Sequence, residues 1–202
     1  MRLQKILIFG ICAVIVCGCI ATKQEQKTEV VGVKVLFILA PENFRDEEFA
    51  KPRDILRDAG FDIVVTGPGS GTFRGMLGTT VRPDISLGSV RVDDYAAVVV
   101  VGGSGSRDWL WNDTKVFSIV SEANSKGKVV AGICASGAVL AKAGVLNGRA
   151  ATAFPDDEII QILKERGAKY IKRGVVVDGK IITAEGPANA EEFGESILAA
   201  LR

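Results

Sequence analysis

The chain reads as an α/β domain with a doubly wound, mostly parallel sheet. Two observations predict this. Several short, nearly continuous apolar runs alternate with helical patterns through short connections, as in βαβ units whose strands are buried on both faces. One of those runs, Lys128-Val129-Val130-Ala131-Gly132-Ile133, ends at Cys134 and passes through Ala135-Ser136-Gly137 into a helical pattern. A strand, a sharp turn carrying a thiol and a helix make a nucleophile elbow, with the side chain thrust out at the carboxyl end of a parallel strand. Free N–H groups and the helix dipole there favour thiolate over thiol. A small buried Cys in an apolar setting is the bland alternative.

The elements follow in order. Val33 to Ala40 is a central strand. Pro41 to Arg45 is a turn, and Asp46 caps a helix running to about Ala59, stopped by Gly60. Pro52 inside that helix predicts a kink or a broken first turn. Phe61 to Thr66 is the next strand. Gly67 to Asp94 is Gly-rich and irregular, a hairpin excursion and candidate interface, and its glycines match no nucleotide fingerprint. Ala96 to Val101 is another central strand, ending in Gly102-Gly103-Ser104-Gly105. Asp113 caps a helix to about Lys126. The elbow strand and its helix follow, to about Ala143. Gly148 to Thr152 is a short strand, Phe154-Pro155 a corner, and Asp156 or Asp157 caps a helix ending near Arg166-Gly167. Val175 to Ala184 is a hairpin with an Asp178-Gly179 type I′ turn. Gly186-Pro187 breaks it, and Asn189 caps a final amphipathic helix.

Composition excludes several functions. Lys and Arg number 25 against 24 Asp and Glu, so no polyanionic partner is called for and nucleic-acid binding has no support. There is no histidine, which removes every Ser-His, Cys-His or His-metal mechanism built from this chain alone. Cys134 is the one cysteine beyond the first residues, so no zinc site is expected, and no cofactor or other metal is implied.

Residues 1–22 read as a leader. Arg2 and Lys5 form a basic start, Ile6 to Val16 is apolar, and Val16-Cys17-Gly18-Cys19 resembles a lipobox with Cys19 as the lipidated residue. An uncleaved anchor is the alternative, although about 15 residues is short against the roughly 20 a span needs. Either predicts a membrane-anchored domain on the extracytoplasmic face. Residues 23–31 are a polar tether, and 32–202 form the domain, large enough for an adequate core.

Ligands of open α/β sheets bind at the carboxyl ends of the strands. Three features fall there: Pro41 to Glu48, Gly102-Gly103, and Cys134. Gly102 and Gly103, with the N–H of Ala135, can form an oxyanion site; a plain tight turn is the alternative. Asp46-Glu47-Glu48 reads as capping charge on a solvated face. One of these carboxyls could instead face the thiol. Ionised, it would raise the thiol pKa; protonated, it would donate a hydrogen bond and lower it. Such a partner works only if burial elevates its own pKa.

With these residues assembled, the body from Val33 to Leu201 resembles the ThiJ/PfpI family, the Parkinson-associated deglycase group of the class I glutamine-amidotransferase-like superfamily. The matching landmarks are the acidic helix with Pro52, Val101-Gly102-Gly103, Gly132-Ile133-Cys134, Gly144 to Arg149, Thr152-Ala153-Phe154-Pro155, Val177-Asp178-Gly179 and Gly186-Pro187. The resemblance implies a flavodoxin-like sandwich, a dimer or larger homo-oligomer, Cys134 as nucleophile, Glu48 as its hydrogen-bond partner, and Gly103 and Ala135 as N–H donors toward the thiol. It also has departures. Family peptidases carry His directly after the Cys, where this chain has Ala135. The deglycase branch carries His at Phe154. The usual Gly-Pro after the elbow is Ser136-Gly137, and a common Arg is Glu185. A Cys-His peptidase mechanism is therefore disfavoured.

The reading that results is a cysteine-dependent hydrolase or lyase acting on a small electrophile, of glyoxalase, deglycase or hydratase type. In it Cys134 adds to the substrate and Glu48 moves the proton. The alternatives are a non-enzymatic cysteine redox sensor and a binding domain with an inert thiol.

Overall fold

The computed structural model describes residues 32–202. The leader with Cys19 and the tether fall outside the described residues. Among the described residues no helix is long and apolar enough to cross a membrane.

The first strand, β1 (Lys34–Ile38), is fully buried beyond Lys34. The segment read as a turn contains a short strand, β2 (Glu42–Phe44). Helix α1 (Asp46–Asp58) follows, and Pro52 lies inside it without ending it. Asp46 does not cap this helix; Arg45 holds the cap position and makes no side-chain capping bond. The Asp46 carboxylate instead reaches out of the helix and accepts the N–H groups of Leu77 and Thr79, each at 2.8 Å.

Strand β3 (Asp62–Thr66) leads into the Gly-rich excursion. There β4 (Phe73–Gly75) and β5 (Thr80–Val81) form the anticipated hairpin, and β2 joins β4 in parallel to make a small three-stranded sheet. Next come β6 (Tyr95–Val100), a short α2 (Ser104–Trp109) that the Gly-Ser-Gly sequence disguised, and α3 (Thr114–Ser125). Asp113 caps α3 as read, accepting from Lys115 and Val116. Strand β7 (Val129–Ile133) runs into the elbow and α4 (Gly137–Lys142). Then follow β8 (Ala150–Ala151), α5 (Asp157–Glu165) capped by Asp156, β9 (Lys169–Tyr170), and the hairpin β10 (Val175–Asp178) and β11 (Ile181–Ala184).

The hairpin turn differs from the reading. Asp178 pairs with Ile181, so the two-residue loop is Gly179-Lys180, and only Gly179 has positive φ, at 63°. That is the signature of a II′ turn rather than I′. The last helix, α6 (Ala190–Leu201), starts after Asn189, whose side chain makes no capping bond.

The central sheet has the order β10-β11-β7-β6-β1-β3, parallel except for β10. Taking the parallel strands in chain order gives 2-1-3-4-5, the flavodoxin-like winding. Helices α1 and α6 pack together, with α6 against β7 and β11, while α3 and α4 pack together on β7 and, through α3, on β6. The topological switch lies between β1 and β6, where the chain leaves one side of β1 for the other. The candidate residues stand beyond the carboxyl ends of β1, β6 and β7, around that switch.

Candidate active site

Cys134 sits immediately after β7 with φ at 60°, a left-handed conformation that costs a residue bearing a Cβ. Distant groups hold it there. The Ser136 hydroxyl donates to the Val101 carbonyl at 2.7 Å and lies 2.8 Å from the Ser106 hydroxyl. The Trp111 indole N–H donates to the Ala135 carbonyl at 2.9 Å. The Phe154 N–H donates to the Cys134 carbonyl at 3.3 Å. The elbow is thus over-determined by β6, α2 and the segment after β8, which is what a strained nucleophile turn requires.

Glu48 approaches from the first turn of α1. It is fully buried, which overturns the solvated-face reading for this residue and, with Asp46, for most of the acidic cluster. Its Oε2 accepts the Gly102 N–H at 3.1 Å. Gly102 was expected in the oxyanion site, but its N–H is taken by this carboxyl, so it holds Glu48 instead. The glycine is required by contact: a Cβ at position 102 would lie 2.6 Å from Glu48 Oε2 and 2.7 Å from Cys134 Cβ. Gly103 has φ of 99°, and a Cβ there would run into the backbone of Asn43 and Arg45. The N–H groups of Gly103 and Ala135 point to the Cys134 sulfur.

The electrostatics run against a standing thiolate. Burial first, then the nearby Glu48 charge, push the Cys134 thiol up to about 12, against the pull of the Gly103 and Ala135 N–H groups. The elbow helix is only six residues long, so its dipole is a weak counterweight. Burial pushes Glu48 up to about 8, opposed by its contacts with Cys134 and Gly102. The sequence-based condition for a useful carboxyl partner, a pKa elevated by burial, is therefore met, while the lowered thiol pKa is not. The two groups titrate as a pair. Glu48 Oε1 is buried without a partner of good hydrogen-bond geometry, so the carboxyl–thiol contact is loose, as catalytic contacts often are before substrate binds.

Above the pair lies a cavity of about 430 Å³. Its walls include Arg45, Met76, Arg107, Phe154, Ile159 and Pro187. Arg45 lies in the Pro41-to-Glu48 segment and Phe154 holds the position of the deglycase-branch His, while Met76, Arg107, Ile159 and Pro187 were given no site role from sequence. They come from separate loops and helices and share no local pattern. Among the described residues no group of His, Cys, Asp or Glu is arranged to hold a metal ion.

The sequence model of the DJ-1/PfpI family matches residues 33–200. A Methanocaldococcus jannaschii protein is 42% identical over 99% of this chain and 97% of its own length. A deglycase of Pyrococcus horikoshii is 33% identical over 78% of this chain and 92% of its own. Among solved structures, DJ-1beta of Drosophila melanogaster superposes with a TM-score of 0.76 at 33% identity, covering 85% of this chain and 91% of its own. Of these, the Pyrococcus protein is named a deglycase and the Drosophila one DJ-1beta, and none is called a lipoprotein. Nothing in the names of these relatives supports the signal-peptide, lipoprotein and membrane-anchored extracytoplasmic assignments, which are withdrawn.

Proposed function

The chain belongs to the DJ-1/PfpI family, and from that membership we propose that it is an enzyme acting on small carbonyl electrophiles through Cys134 and Glu48. The observation that carries this reading is the pair itself: a strained thiol beside a buried carboxyl whose pKa, about 8, suits proton transfer near neutral pH. The Glu48 carboxylate takes the thiol proton as Sγ bonds to the carbonyl carbon. The C=O π electrons move to oxygen, and the Gly103 and Ala135 N–H groups are placed to receive that alkoxide. Glu48 then returns the proton to it. Oε1, which has no other partner, is the oxygen free to carry that proton.

A homo-oligomer, dimer or larger, belongs to the same proposal and is read by light scattering. The catalytic test is consumption of methylglyoxal by the full chain, by Cys134→Ala and by Glu48→Gln. Loss in both variants supports the reading, and unchanged turnover overturns it.

A further inference from the structure

We infer that the cavity over Cys134 is shaped for an uncharged aldehyde or α-oxoaldehyde bearing an apolar substituent of about phenyl size, in preference to three-carbon or anionic carbonyl compounds. This deepens the proposal above and rests on it for the chemistry at the sulfur.

Size is the first argument. At about 430 Å³ the cavity falls within the range of pockets that enclose drug-sized ligands. A three-carbon dicarbonyl would leave most of it to water. The second argument is the wall. Gly103, Cys134, Ala135 and Glu48 form the reacting end, while Met76, Phe154, Ile159 and Pro187 supply apolar surface beyond it. Met76 and Phe154 are 43% and 45% exposed. Large apolar side chains left uncovered around a cavity gain by burying a ligand's apolar group.

The third argument is charge. Both guanidinium groups at the cavity already have carboxylates. Arg45 donates to both oxygens of Glu47, at 2.8 and 3.0 Å. Arg107 bonds Glu158, lies 3.5 Å from Asp156 and stacks over the Trp111 ring at 4.6 Å. Asp156 itself lines the cavity. An anionic substrate would have to displace these carboxylates, and it would meet Glu48 at the reacting end. An uncharged one disturbs none of them.

The step at sulfur is the reversible addition already described: an S–C bond forms, the carbonyl π bond breaks, and the thiol proton passes through Glu48 to the alkoxide, with no change of oxidation state. The occupant can therefore be read as an adduct that shields Cys134. The full chain is alkylated with iodoacetamide at pH 8 in the presence of acetaldehyde, phenylacetaldehyde or succinic semialdehyde, and Cys134 is followed by mass spectrometry. Phenylacetaldehyde is expected to half-protect at a concentration about tenfold or more below acetaldehyde, with succinic semialdehyde the weakest. Phe154→Ala and Met76→Ala should each narrow the phenylacetaldehyde-to-acetaldehyde ratio severalfold. Equal protection by all three, or the anionic aldehyde protecting best, overturns the inference. So does a ratio that neither variant changes. Aryl preference without any dicarbonyl turnover would refute the catalytic proposal and leave this assignment standing. Turnover without aryl preference would do the reverse.

Discussion

Asp46 and Glu48 are two residues apart in the first turn of α1, both buried, and they titrate in opposite directions. Burial works to raise both. At Asp46 it is outweighed by hydrogen bonds from the Thr79 hydroxyl and from the N–H groups of Leu77 and Thr79, and the carboxyl stays below its usual range. At Glu48 one N–H from Gly102 and the thiol contact do not offset burial, and the carboxyl rises to about 8. Deeper burial and fewer donors at Glu48 together decide the sign. A carboxylate that anchors a loop is given all its partners. The one proposed to pick up and release a proton is left short, with an oxygen free.

The sharpest way to break this contrast is to remove what Glu48 is short for. Cys134→Ala should lower kcat/KM for dicarbonyls by about 10³-fold or more, measured by substrate consumption; a fall of less than tenfold would detach the carboxyl from any catalytic pair. Glu48→Gln comes next, at about 10²- to 10⁴-fold. The same variant should shift the rise of Cys134 alkylation to lower pH, because the Glu48 charge that helps push the thiol up is gone.

Stability tests the sign on both sides. Glu48 has a folded pKa above its ordinary value, so its contribution is complete below about 4.5 and is lost as pH rises to about 8. Denaturant melts should therefore show Glu48→Gln gaining on the wild type across that window, at most about 1.4 kcal/mol per pH unit. Asp46 has a depressed pKa, so its contribution is present above 3.8 and is lost as pH falls through its folded value. Asp46→Asn should cost about 1 kcal/mol at neutral pH by weakening the bonds from the part-buried Leu77 and Thr79 N–H groups, with the cost shrinking in acid. The smallest test is Gly102→Ala. Its Cβ would press on Glu48 and the elbow, costing about 1–3 kcal/mol by overpacking and lowering turnover, with kcat affected more than KM.

What could be read without coordinates was local. Strands β1, β6 and β7 declare themselves as continuous apolar runs, Asp113 and Asp156 as caps, and the elbow as a strand meeting a thiol and small residues. The hairpin after Arg173 was legible to within its turn type, which depends on where Asp178 pairs. The small strand β8 falls inside the short strand read at Gly148 to Thr152, but β2 and β9 were obscured because their pairing partners lie far along the chain, and two or three residues carry no period of their own. Helix α2 was hidden by glycine and serine, poor helix formers that are tolerated here because Gly105 packs against the Glu42 backbone, where a Cβ would not fit.

By itself the sequence determined the parallel α/β winding, the place of Cys134 at the end of a strand, and the absence of any imidazole to serve it. Tertiary structure alone decided that Gly102 serves Glu48 rather than an oxyanion, that the thiol is raised rather than lowered, and that Met76, Arg107 and Phe154 share a cavity. The reason is physical. Strand and cap preferences arise from neighbours a few residues apart. Desolvation, and the sharing of a limited set of N–H donors, are sums over atoms that only the folded chain brings together.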